Sequence, residues 1–380
     1  MSRLAPEMSL PGARSLGKGR WRRRLADFDW PLFAAVSLLA FIGLLNLYSA
    51  THDTAHSTKF DLQLKWMVLG FGAFFVVTAI DYHAMHRLAW LGLGGIMLML
   101  LAVALFGDNA KGAARWLVLG PVRIQPSELA KIVVLIAIGR LIHDRGSGDL
   151  RLSDSLGLLV AILLPVLIVA TQPDLGTASL LALIILSVSL LMAKRVIEIG
   201  IALGVGVAAL PLMWEVMHDY QKARVLAFLD PSADPTGSGW HAAQSILAVG
   251  SGQMTGKGLF NATQNAFNFL PEHWTDFPFS VWAEEWGFLG SLFLLGLFAF
   301  IIFRCVHIAM TARDRFGTAI CLGVAAMVFW HMVVNIAMVL GLAPVVGVTL
   351  PLISYGGSSV ITFMIGFGLV SAVSLRRQSY

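Results

Sequence analysis

The sequence predicts an all-α polytopic membrane protein of about ten transmembrane helices, with a large extracytoplasmic loop between helices 7 and 8. Three observations predict it. Of the 380 residues, 57% are hydrophobic and only 13% charged, with a mean hydropathy of +0.77, far from the roughly 25% charged composition of soluble domains. Apolar runs of membrane length recur along the chain. One long segment, 215–278, breaks that pattern with polar and Gly-rich sequence, and its backbone would lack hydrogen-bond partners in lipid.

Taken in order, the apolar runs are 30–49, 62–80, 88–106, 126–142, 155–170, 175–193, 197–214, 279–304, 316–340 and 358–375. Only Thr171-Gln172-Pro173-Asp174 separates the fifth from the sixth. Most of the 27 Lys and Arg fall on one side when the N-terminus is placed inside, including the arm Arg20 to Arg24. Lys and Arg in short loops are retained in the cytoplasm, so both termini are expected there and 215–278 outside. The domain reading is a basic arm, 1–29, a single membrane domain, 30–375, and a tail, 376–380. Its outer loops are 107–125, 215–278 and 341–357. Within the long loop, 219–229 and 241–249 read as helices, separated by an Asp/Pro/Gly turn region.

The net charge of +5 follows from this inner-side bias, which suits anionic lipid headgroups and requires no nucleic acid. Cys305 and Cys321 fit neither a disulfide framework nor a metal site and read as structural thiols. The first 29 residues lack a small-residue cleavage pattern, so the first apolar run reads as a permanent helix. No HExxH, Walker or dinucleotide pattern is present.

Several ionisable residues sit where they are costly in a membrane. Asp276, immediately before the eighth run, has reduced access to water and suits proton acceptance near neutrality. Spacing alone favours the simpler role of helix capping. Glu128 and Lys131, three apart after Pro126, share one helix face, either as a functional pair facing the protein interior or as an interfacial anchor. Lys111, Arg115 and Arg123 surround Trp116 in the 107–125 loop, a pattern suited to a phosphate-bearing ligand or to an interfacial belt. Asp174 reads first as a cap. Glu284 and Glu285 lie inside a span, where at least one should face a polar cavity or carry a proton. His331 and Asn335 read as interhelical hydrogen-bonding groups.

From Gly341 to Ser358 the chain reads Gly-Leu-Ala-Pro-Val-Val-Gly-Val-Thr-Leu-Pro-Leu-Ile-Ser-Tyr-Gly-Gly-Ser. This resembles the signature of the SEDS family, the shape, elongation, division and sporulation proteins. Lys111–Trp116, 125–131, 172–177, 218–221, 256–258 and 269–277 agree, so the resemblance covers about 30–375, and it lies nearer the elongation than the division branch. It implies a peptidoglycan glycosyltransferase that polymerises lipid II into glycan strands at the outer membrane face. Asp276 would be the essential loop aspartate, Trp116 the loop tryptophan, and Glu128 with Lys131 the intramembrane pair.

Such an inverting transfer to the N-acetylglucosamine 4-hydroxyl needs a base and positive charge for the departing pyrophosphate. Asp276 is the base on this reading. Lys111, Arg115, Arg123, Arg224 and Lys257 are the phosphate candidates, with Asp174 supporting. No cofactor is demonstrated, and a divalent cation, Mg or Mn, would be compatible with the phosphate role. Expected partners are lipid II, the lipid-linked glycan strand, membrane lipids, a class B penicillin-binding protein acting as transpeptidase, and the elongation machinery. A flippase for lipid-linked sugars and a non-catalytic scaffold are the competing classes.

Overall fold

The structure is a computed structural model that describes residues 28–52, 57–110, 113–119, 122–146, 152–172, 174–192, 219–230, 238–262 and 274–377, with 200, 204, 214, 215 and 217 as isolated positions. Its helices are α1 (Trp30–Thr51), α2 (Thr58–Ala79), α3 (Tyr82–Phe106), α4 (Pro126–Gly146), α5 (Leu152–Thr171) and α6 (Leu175–Leu191). They continue with α7 (Asp219–Leu229), α8 (Ser238–Ser251), α9 (Pro278–Met310), α10 (Arg315–Val339) and α11 (Gly357–Arg376). Six of them, α1, α2, α3, α9, α10 and α11, are long and apolar enough to cross a membrane. The chain is an all-α polytopic membrane protein. Nine of the ten expected runs fall on helices; the seventh, 197–214, lies outside the described residues but for three positions.

Asp residues start several helices, because a carboxylate accepts the backbone N–H groups left free in the first turn. Asp29 caps α1 through Leu32 N at 3.0 Å, and Asp314 caps α10 through Gly317 N at 2.6 Å. Asp81 caps α3 seven residues before the apolar run begins, so α2 and α3 are joined by a single tight turn.

The core is central rather than uniform. The apolar window of α11 is 78% buried and that of α10 67%, against 28% for α2 and α3. Thus α10 and α11 are wrapped by the other helices, while α2 and α3 present apolar side chains outward. Helix α4 packs on α3, α10 and α11, and α9 packs on α1 and α10.

Two expectations of form need correction. The 107–125 segment is not simple loop: β1 (Asp108–Ala110), β2 (Ala113–Leu119) and β3 (Val122–Ile124) form an antiparallel ribbon in the order β1-β2-β3. The 341–356 stretch, expected as an outer loop, is threaded into the helix bundle, with Val348, Leu350, Leu352, Ile353 and Ser354 buried. Irregular backbone is tolerated there because side chains satisfy it. Ser354 Oγ accepts from Leu350 N at 2.7 Å, and Gln63 receives Gly356 N and donates to Ser354 O, each at 3.1 Å.

The chain ends of the bundle differ. One carries the contacts of Gln125 with Asp174 and of Asn335 with Asp276. The other carries Asp29–Arg304, His83–Asp314 and Arg376–Asp81, which gather the start of α1 and the end of α11.

Candidate active site

Residues 345–349 of the threaded stretch are the hub of the polar end. Arg224 on α7 donates to Val345 O at 3.2 Å. Val346 O lies where a Cβ on Gly176, in the first turn of α6, would come within 2.7 Å. Gly347 has φ +72°, a left-handed conformation that disfavours any side chain, and a Cβ there would approach Asp276 Oδ2 to 3.5 Å. Asn335 on α10 closes the arrangement, donating to Val348 O at 2.7 Å and to Asp276 O at 2.9 Å.

The Asp276 turn is held from further sides. Tyr355 N donates to Trp274 O at 2.8 Å, and Lys59 Nζ stands 3.3 Å from the Trp274 ring centroid. The N-cap position of α9 falls on Phe277, so Asp276 is not its cap residue. Half-buried Asp276 stands at a helix mouth against the hub.

Below the hub lies a buried charge chain. Lys131 Nζ is 2.7 Å from Glu128 Oε1 and 2.8 Å from His331 Nε2, and Lys131 is 0% exposed. His331 Nδ1 lies 2.7 Å from Met327 O and must donate to that carbonyl, which leaves Nε2 as the lone pair that accepts from the ammonium. Glu128 Oε2 is buried with no hydrogen-bond partner. Asp174 caps α6 through Thr177 N at 3.4 Å and accepts from Gln125 Nε2 at 3.2 Å. It ties α6 to the start of α4.

The other expected residues divide. Trp116 lies half-buried on β2, paired in register with Asp108, and Arg123 lies exposed on β3 opposite Val118. Lys111 and the side chain of Arg115 lie outside the described residues, as do Glu272 and His273. Lys257 sits 2.6 Å from Glu284 Oε1, an ion pair with a carboxylate that is almost wholly buried. Both glutamates inside the eighth span are enclosed; Glu285 Oε1 accepts from Ser49 Oγ and from Phe260 N at 3.2 Å. Cys305 and Cys321 are free and buried.

Sequence reasoning missed Lys59 and Gln63, whose signal is a polar turn, Lys59 to Gln63, opening an otherwise apolar run. It named His331 and Asn335 without their partners. Among the described residues, a cluster of His86, His143 and Asp144 is close enough to share a metal ion. It lies at the opposite end from the hub, and Arg140 already contacts Asp144 at 3.3 Å.

A family model described as "Cell cycle protein", that of FtsW, RodA and SpoVE, matches residues 29–379. The chain belongs to this family. Among curated members, this FtsW/RodA/SpoVE protein is 46% identical over 283 residues to the peptidoglycan glycosyltransferase MrdB of Escherichia coli strain K12, covering 74% of this chain and 76% of that one. It is 36% identical over 365 residues to a probable peptidoglycan glycosyltransferase FtsW of Trichlorobacter lovleyi, covering 92% and 94%. A solved structure described as structural coordination of polymerization and crosslinking by a peptidoglycan synthase complex superposes with a TM-score of 0.77 at 32% identity, over 93% of this chain and 99% of that one. The rod shape determining protein RodA of Thermus thermophilus superposes with a TM-score of 0.70 at 30% identity, over 93% and 98%.

Proposed function

We propose that this chain is a peptidoglycan glycosyltransferase that polymerises lipid II into glycan strands at the outer membrane face, for cell elongation and rod shape. The convergence of Asp276, Arg224 and the Asp174-capped helix on residues 345–348 carries the reading. It is supported by 46% identity to a protein named for this activity.

In the proposed reaction Asp276 accepts the proton of the acceptor 4-hydroxyl. The hydroxyl oxygen then bonds to the anomeric carbon of the donor as the carbon–oxygen bond to the lipid pyrophosphate breaks, with inversion. Arg224, bonded to Val345 O, is assigned to the departing charge, and Lys111, Arg115 and Arg123 to the same phosphates. Lys131 keeps Glu128 and His331 in one arrangement beneath them. A Mg or Mn ion needs one or two carboxylates when substrate phosphates complete its shell, and Asp276 would supply one. Such an ion would supply charge to the leaving pyrophosphate.

The family includes members named for both branches. The 46% identity to MrdB and the superposition on a rod shape determining protein support the elongation role. A class B penicillin-binding protein supplies crosslinking in this scheme, in keeping with the synthase complex that the fold resembles.

Purified protein in detergent, given lipid II alone, tests the proposal. Glycan polymer is expected, and its absence with an active transpeptidase partner added would favour a flippase or scaffold.

A further inference from the structure

Helix α9 is broken, and the break is filled by another part of the chain. Gly287 has φ 64° and ψ −159°, so the helical ladder stops there. In an unbroken helix Phe288 N would donate to Glu284 O, and Leu289 N to Glu285 O. Here those four groups bond instead to the loop after α8. Lys257 N donates to Glu284 O at 3.0 Å and Gly258 N to Glu285 O at 2.9 Å. Phe288 N donates to Gln253 O at 2.8 Å and Leu289 N to Met254 O at 3.1 Å.

Side chains reinforce the same seam. Lys257 pairs with Glu284 at 2.6 Å, Ser251 Oγ donates to it at 3.3 Å, and Glu285 is bound from α1 by Ser49. The approach admits no side chain, since a Cβ on Gly287 would stand 2.3 Å from Gly256 N. The outer half of α9, residues 278–286, is thereby fixed at both ends. At its start Asn46 donates to Pro278 O at 3.0 Å and Asn335 to Asp276 O at 2.9 Å.

We propose that the 253–258 loop, through Lys257 and Glu284, is a positioning clip that sets where the half-helix 278–286 holds Asp276 for glycosyl transfer. The proposal rests on the reading of Asp276 given above. It also reassigns Lys257 from the phosphates to the clip. Removing the Lys257 ammonium leaves a carboxylate that is 1% exposed facing a weakened seam, whereas losing the Glu284 charge leaves a lysine that is 29% exposed and can hydrate. Displacing a reacting group by about 1 Å costs on the order of a hundredfold in rate.

The test measures lipid II polymerisation by the purified full chain, with melting in detergent as a fold check. Lys257→Met is expected to lower kcat by about tenfold or more at unchanged KM. The double variant Lys257→Met/Glu284→Gln is expected to recover part of that loss. A raised KM without recovery would return Lys257 to the phosphates and overturn the clip. Wild-type kcat in Lys257→Met would overturn it too. Hydrogen exchange gives a readout that needs no variant: amides of Lys257, Gly258, Phe288 and Leu289 are expected to be protected in the wild type, and rapid exchange at all four contradicts the clip. Loss of activity in Asp276→Asn beside active clip variants defeats this proposal alone. Full activity in Asp276→Asn defeats the reading of the site beneath it.

Discussion

At position 131 a lysine with no exposed surface joins Glu128 within its own helix to His331 across the bundle, 200 positions further along the chain from the lysine. Burying an ammonium is tolerable only when its partners are fixed, and the tautomer of His331, set by Met327 O, supplies the second one. Lys131→Met, which leaves Glu128 buried without its cation, is expected to cost about 3–5 kcal/mol of stability, read as a lowered melting temperature in detergent. The double variant Glu128→Gln/Lys131→Met is expected to lose less. Spacing alone exposed the Glu128/Lys131 half of this chain, because residues three apart share a helix face. The His331 half was illegible, since no local pattern links α4 to α10. Asp276 was ambiguous for the opposite reason: an acid two residues before Pro278 resembles a cap, and only the helix start, with its N-cap at Phe277, separates the roles.

Among the elements, the threaded stretch 341–356 departs most from its sequence appearance. Pro, Gly and Ser suggest a surface loop, yet buried Gln63, Asn335 and Ser354 satisfy its backbone and let it pass through the core. Those partners lie on α2, α10 and the stretch itself, so the burial depends on contacts that span most of the chain. Gly347→Val, forced into a left-handed conformation beside Asp276, is expected to abolish polymerisation while circular dichroism still reports native helix content. Asn335→Leu removes both bonds to the hub and is expected to lower kcat more than it raises KM. The helices themselves were legible from apolar run length. Their starts were less so: α2 begins four residues and α3 six residues before the apolar run, because Lys59, Asp61 and the Asp81 cap extend each helix into polar sequence. The β-ribbon was missed because its outer strands span three residues each, too short for alternation to register.

Across the whole molecule, the polar end and its opposite have different construction. The opposite end is pinned by ion pairs that each keep one partner in reach of solvent, Arg304 with buried Asp29 and His83 with Asp314. The polar end is built from buried side chains bonded to irregular backbone, with a broken α9 whose gap another loop fills. Rigid outer helices thus surround a centre in which several chain segments must agree before Asp276 is placed. A transpeptidase partner that stabilises this arrangement is expected to raise the polymerisation rate without adding a catalytic group, checked by comparing kcat with and without the partner. At this centre Asp276 is proposed to perform the proton transfer. The most direct measurement is polymerisation of lipid II by purified Asp276→Asn beside the wild type, with equal melting temperatures confirming the fold. Glycan strands are expected from the wild type and none from the variant; strands made by Asp276→Asn at the wild-type rate would rule out Asp276 as the base.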